Sequence, residues 1–221
     1  MNEIFVSSPV MWAPGLEDSQ EKWEKWLKGE ESIEKSTAAP KLEYTDPLFR
    51  RRLSQISKMT IHVVHALLEK CSLDKDTKIV FISFRGEISR EFSINKGIIN
   101  ESMVLPAGFS LSVFNTPVAL ATIAFGLTGG YSAVYPSKGD FSAALKTAAA
   151  PVLCGEEKKI VLIYADELVP ECYVVESTPL AFAAVVSSEK IPDSVKIDGF
   201  DSEKTPEGFL KRLLEAGRHN V

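Results

Sequence analysis

Residues 110–150 read SLSVFNTPVALATIAFGLTGGYSAVYPSKGDFSAALKTAAA, and this stretch decides the fold. Thr116 can cap a helix whose first position suits Pro117, because proline has no N–H to satisfy there. Val118, Ala119, Leu120, Ile123, Ala124, Phe125 and Leu127 make that helix apolar almost all round, which predicts burial, and Gly129 suits its C′ position. Tyr131–Tyr135 reads as a short strand. Asp140 then caps a second helix with Phe141, Ala144, Leu145, Ala148 and Val152 facing inward. Pro151 should kink the end of this helix or stop it early. Helix, strand, tight glycine turn, helix is the pattern of an α/β layer.

Outward from this stretch the same pattern continues. Ile4–Val10 is an apolar run that predicts a first strand. Residues 11–47 place Trp12, Trp23 and Trp26 among Glu and Lys, which reads either as a solvated excursion or, slightly better, as a docking arm. A helix is expected from Asp46-Pro47 onward, with Leu53, Ile56, Val63, Val64, Leu67, Leu68 and Cys71 in one stripe. Arg50, Arg51 and Arg52 crowd its first turns. His62 and His65 form an HxxH, but with no third His or Cys nearby they read as two surface imidazoles rather than metal ligands. Thr77–Phe84 is β-branched and aromatic, followed by polar helical sequence to about Asn100 and a break at Pro106–Gly108. Lys159–Ala165 and Ala181–Val186 are continuous apolar runs, as a sheet covered on both faces requires. Residues 191–221 are charged and end in an amphipathic segment, Pro206–Ala216. The chain is expected to form a single α/β domain over 1–221, with residues 11–47 as a Trp-containing insertion.

The chain has 221 residues, 45% of them hydrophobic, enough for one substantial core. A net charge of −5 argues against nucleic-acid binding, since there is no basic excess to neutralise phosphates. The three cysteines, Cys71, Cys154 and Cys172, form no CxxC, so no metal site, no disulfide frame and a reducing compartment are expected. The first residues lack a signal-peptide pattern, and the most apolar run, about 15 residues, is short for a membrane span. A cytoplasmic location, with no cofactor, is the expectation.

Four pieces in order carry a family resemblance: RRRLSQISKMT (50–60), SFRGEISREF (83–92), SLSVFNTPVALATIAFGLTGG (110–130) and YADELVP (164–170). Together they resemble the β-ketoacyl-synthase N-terminal-like family, in particular the chain-length-factor-like partners of aryl-polyene-type biosynthesis. The resemblance implies the N-terminal half of a thiolase-like fold from about Asp46 to Ser188. It also implies where a ketosynthase would carry its acyl-accepting cysteine: aligned from Gly129-Gly130, that place falls on Lys138, with Ser137 before it. The second half that supplies two catalytic histidines has no room here, and the remaining histidine is His219. A thiolate and imidazoles are what Claisen condensation needs, so the chain reads as a non-enzyme.

The resemblance therefore implies a non-catalytic subunit that pairs with an intact ketosynthase, meets acyl carrier protein through that complex, and supports chain initiation or length control. Its interface would be the strand Tyr131, Ser132, Ala133, Val134 and Tyr135 with Asn115 and Phe114. Phe114 and Phe125 would line core or acyl tunnel. Two alternatives stay open: a stand-alone carrier-protein-binding module using Arg50–Arg52, and an acyltransferase or hydrolase using Ser137. A GxSxG reading of Ser132 fails, because that serine falls inside a strand and no glycine follows at the fifth place.

Overall fold

The computed structural model describes residues 3–218. Seven strands build one sheet: β1 (Ile4–Ser7), β2 (Val10–Trp12), β3 (Ile79–Ile82), β4 (Tyr131–Val134), β5 (Lys159–Asp166), β6 (Leu180–Ser187) and β7 (Ser194–Ile197). The helices are α1 (Gln20–Lys28), α2 (Pro47–Arg50), α3 (Gln55–Lys70), α4 (Ile88–Glu101), α5 (Pro106–Phe109), α6 (Thr116–Phe125), α7 (Phe141–Leu153) and α8 (Pro206–Arg218). The strand order is β4-β3-β5-β6-β1-β7, with β2 also on β6. The β4, β3 and β5 strands run parallel; β6 is antiparallel to β5, β1 and β2.

Strand alternation divides the core in two. Ile79, Phe81, Val161, Ile163, Ala181 and Ala183 join α3 and α6 on one face. Val80, Ile82, Leu162, Tyr164 and Phe182 join α7, α8 and α1 on the other. Both faces are buried, so the central strands read as unbroken apolar runs.

The tryptophans belong to this core. Trp12, Trp23 and Trp26 are 3%, 3% and 7% exposed, so they are neither solvated nor a docking arm. Trp12 pairs with Ala181 in the sheet, while Trp23 and Trp26 pack edge-to-face in the same apolar cluster as Phe141 and Phe209. The Trp23 ring N–H donates to the Glu17 carbonyl at 2.8 Å, which lets the indole be buried without loss.

Several expected boundaries move, each for a local reason. The run Ile4–Val10 is two strands, interrupted at Ser8-Pro9, and the break lets β1 pair at the C-terminal end of β6 while β2 pairs near its start. The helix opened by Asp46 does receive its cap, from Asp46 Oδ1 to the N–H groups of Leu48 and Phe49, but stops after one turn. Ser54 then caps α3 through Ser57 N. Asn115, rather than Thr116, sits at the N-cap position of α6, and Pro117 lies one place inside the helix. The helix ends at Gly126, which takes φ 63°. Gly129 is instead fixed by close approach, since a Cβ there would lie 2.1 Å from the Asp76 carbonyl oxygen. The α6 helix is not buried all round: Val118 and Ala121 face the sheet while Ile123 is 72% exposed. Pro151 does not shorten α7, which continues to Leu153 because only its last turn is affected. The strand β7, only four residues long within a charged segment, was not expected, nor was α5.

Phe141 is fully buried among the Phe84, Tyr164 and Phe209 rings. Phe141→Ala should therefore lower unfolding free energy by about 3–5 kcal/mol in chemical denaturation. Phe125→Ala, at a half-buried ring, should cost less than half as much.

Candidate functional site

The C-terminal ends of the parallel strands β4, β3 and β5 lie side by side and carry the chain's main polar constructions. After β4 comes a single tight turn, Ser137–Gly139, in which Lys138 and Gly139 both take left-handed backbone conformations at φ 55° and 72°. Lys138 stands exposed at its tip, and α7 starts immediately after. Asp140 Oδ1 accepts from Ser142 N at 3.0 Å and Ser142 Oγ at 2.7 Å, and its Oδ2 takes Lys204 Nζ at 3.1 Å. These bonds, Ser142 foremost, hold the Asp140 carboxyl below its ordinary range. The geometry is that of a strand–turn–helix elbow, with an ammonium side chain at its tip.

Beside it, two consecutive carboxylates end β5. Asp166 is buried, yet every lone-pair direction is used: Oδ1 accepts from Ser83 Oγ (2.6 Å) and Arg85 N (3.0 Å), Oδ2 from Phe84 N and Tyr164 Oη (2.9 Å each). Burial pushes its carboxyl up, against the pull of those four bonds. Tyr164 is pushed up too, by burial and by the Asp166 charge. Glu167 reaches two helices at once, accepting Ser89 N of α4 at 2.8 Å and Ile56 N of α3 at 3.3 Å. Glu87 takes Ser54 Oγ at 2.7 Å and Ser57 Oγ at 2.5 Å, with Arg90 Nε at 3.2 Å on its other oxygen. Sequence reading used this region only as a motif. The available signal was a pair of acids closing an eight-residue apolar strand, where a charge needs a built partner set.

The β4 strand is the sheet's terminal strand. Gly130 and Val134 turn their carbonyls to Ile79 N and Ser83 N of the β3 side. Because N–H and C=O of one residue point the same way in a strand, Tyr131 and Ala133 direct their backbone groups to the open edge. Ser132 and Ala133 are exposed, Tyr131 and Val134 half-buried, and Tyr135 is exposed. Asn115 Nδ2 donates to Tyr131 Oη at 2.8 Å, joining the start of α6 to this edge. The chain leading into it is apolar and uncovered: Ile99, Leu105, Phe109, Val113 and Ile123 are all more than half exposed.

The other expected site residues fall as follows. Phe114 packs beneath the turn at Gly86, whose missing Cβ makes room for it, and near Phe81. Phe125 sits by Tyr44 and His65 at the opposite end of α6. A ten-residue helix separates the two rings by about 15 Å, so they do not come together. Ser137 is exposed beside Lys138, while both described histidines lie on α3, which covers the opposite face from α7. His62 Nε2 meets Asp18 at 2.8 Å and His65 stacks on Tyr44, so each imidazole has separate partners. Among the described residues no cluster of three or more His, Cys, Asp or Glu can hold a metal, and no helix is long and apolar enough to cross a membrane. Cys154 ends α7, a helix length from the elbow, and Cys71 and Cys172 lie elsewhere.

The sequence model of the β-ketoacyl synthase N-terminal domain matches residues 23–207. The chain belongs to that family. Its fold is the N-terminal half of the thiolase-like ketosynthase architecture. A chain of "Ketosynthase (ApeO) in Complex with its Chain Length Factor (ApeC) from Xenorhabdus doucetiae" is similar at TM-score 0.72 and 23% identity, over 85% of this chain and 79% of that one. "The ishigamide ketosynthase/chain length factor" is similar at TM-score 0.64 and 12% identity, over 84% of this chain but 62% of that one. A type II polyketide ketosynthase complex with its acyl-carrier protein, AntDE:AntF, matches at TM-score 0.61 and 14% identity, over 85% of this chain and 63% of that one. The comparison with curated proteins gives no match.

In this ketosynthase-family chain, Asp166→Ala would strand the buried Ser83 and Tyr164 hydroxyls and the part-buried Phe84 N–H, and would leave Arg85 N with Ser83 Oγ alone. We expect a loss of about 3 kcal/mol or more in unfolding free energy. Ser137→Ala, at an exposed turn, should stay within about 0.5 kcal/mol in the same denaturation experiment.

Proposed function

We propose that this chain is a non-catalytic ketosynthase-like subunit that pairs edge-to-edge with an intact β-ketoacyl synthase. The observation that carries the reading is the open β4 edge, together with the exposed apolar residues of the segment that leads into it, which Asn115 ties to Tyr131. A terminal strand with outward N–H and C=O groups beside uncovered apolar surface is an aggregation hazard unless a partner takes it. Antiparallel addition of a partner strand to Tyr131–Val134 would satisfy those groups. Ile99, Leu105, Phe109, Val113 and Ile123 would supply the apolar contact of a permanent complex, on the order of 2,000 Å² in total.

The absence of catalysis is argued from the elbow. With Lys138 at its tip and no cysteine in the turn, the chain offers no thiolate to carry an acyl group. The companion proteins named in the similar structures, a ketosynthase and a chain length factor, make a cytoplasmic heterodimer the natural setting. Carrier protein would then be met through the complex, and the role would be in chain initiation or length control of fatty-acid- or polyene-type synthesis.

Affinity capture of the tagged chain from its own cells, with mass-spectrometric identification, should return a β-ketoacyl synthase in near-equal amount. Ala133→Pro removes an outward donor without touching the β3–β4 bonds and should abolish that recovery. A folded Ala133→Pro variant that still brings down the synthase would place the interface elsewhere. In the reconstituted complex, Lys138→Ala should leave condensation within a few-fold; a thousandfold loss would mark Lys138 as part of the chemistry.

A further inference from the structure

The α4 helix is attached in an unusual way. None of its residues from Ile88 to Glu101 is buried, so side-chain packing does little to hold it. Its attachment is concentrated in the first turn. Ser89 N donates to Glu167 Oε1, Ser89 Oγ donates to the Leu168 carbonyl at 3.3 Å, and Arg90 reaches Glu87 and the Arg52 carbonyl. Further along, the Phe92 ring meets Tyr173 edge-on, centroids 5.9 Å apart. Glu87 occupies the N-cap position of α4 but gives its side chain to Ser54 and Ser57 of the neighbouring helix start. The capping of α4 thus falls to Glu167, the residue that follows β5.

Glu167 is also the poorly compensated charge of the group. Both Glu87 and Glu167 are 1% exposed. Arg90 is the cation within reach, and it lies on Glu87. The α3 start presents Ser54, Gln55 and Ser57 to this region, and the β3–α4 turn presents Glu87 and the Arg85 backbone. On β5, Asp166 and Tyr164 are engaged with each other. Glu167 therefore faces two backbone N–H groups, the Ser89 hydroxyl and a like-charged neighbour, with no counter-ion of its own.

We infer that Glu167 is a latch on α4: protonated, it stays buried and holds the first turn of the helix; ionised, it favours an open state in which α4 lifts and water reaches the carboxylate. Burial, with the Glu87 charge adding to it, raises its carboxyl from the ordinary 4.5 to about 7, against the pull of the Ser89 and Ile56 N–H bonds. The sign follows from linkage. The closed state binds the proton more tightly than the open one, so closure is fully favoured below about pH 4.5 and loses that advantage as pH rises to about 7. Because α4 carries the exposed Ile98 and Ile99, the latch sets how that apolar face is presented. This consequence for pairing rests on the function proposed above; the latch itself does not.

The test is amide hydrogen exchange of the free full-length chain from pH 5 to 8, corrected for intrinsic exchange chemistry. Opening of the α4 amides should rise by roughly tenfold or more across that range, while α7 amides stay flat. Glu167→Gln should remove the slope in α4. A flat wild-type α4, an equal slope in α7, or a slope that survives in Glu167→Gln overturns the inference. Should the variant not fold, a ¹³C-carboxyl titration of the wild type decides: a Glu167 that titrates in the ordinary carboxylate range contradicts the latch. Neither readout needs a partner, so failure here leaves the proposed pairing standing.

Discussion

A sheet whose central strands are apolar on both sides must be covered twice, and this constraint shapes the rest of the molecule. One face is served by α3 and α6. The other receives α7 from the elbow, α8 from the C-terminal segment and the tryptophans of α1. Trp23, Trp26, Phe141, Phe182 and Phe209 fill that second layer together. Aromatic side chains of this size bury on the order of 150–250 Å² each, so few of them suffice. Burial is complete along β3 and β6 and falls away at β4, where Ser132 and Ala133 are exposed.

That division explains what the sequence made legible. The continuous runs Lys159–Ala165 and Ala181–Val186, the Asp140 cap and the inward stripe of α7 are local signals, and each stands where local physics puts it. The tryptophans misled because charge in the surrounding sequence says which face of a helix is wet, not whether the other face is dry. Trp23 and Trp26 lie three apart on one face of α1, a spacing that was available and carried the answer. The all-round apolar α6 misled in the opposite direction: Ile123 is exposed at a position that composition alone assigns to a core.

The polar end of the sheet was the least legible part. Asp166 and Glu167 draw partners from residues 54–57 and 83–89, more than seventy positions away, and no window of sequence shows such contacts. What the sequence did show was the elbow, with its glycine and its capping aspartate. The structure adds that the elbow is a tight turn with Lys138 itself in the left-handed region. A left-handed backbone at a non-glycine residue is a strained shape, held here by the turn and the start of α7.

Hydrogen exchange at β4 tests the central claim most directly, comparing the free chain with the same chain bound to its ketosynthase. The account predicts that the outward amides of Tyr131 and Ala133 slow by at least about tenfold on binding, as newly paired edge groups do, while those of Ser132 and Val134, already bonded to β3, change less. Bound chain with unchanged exchange along that strand would contradict it.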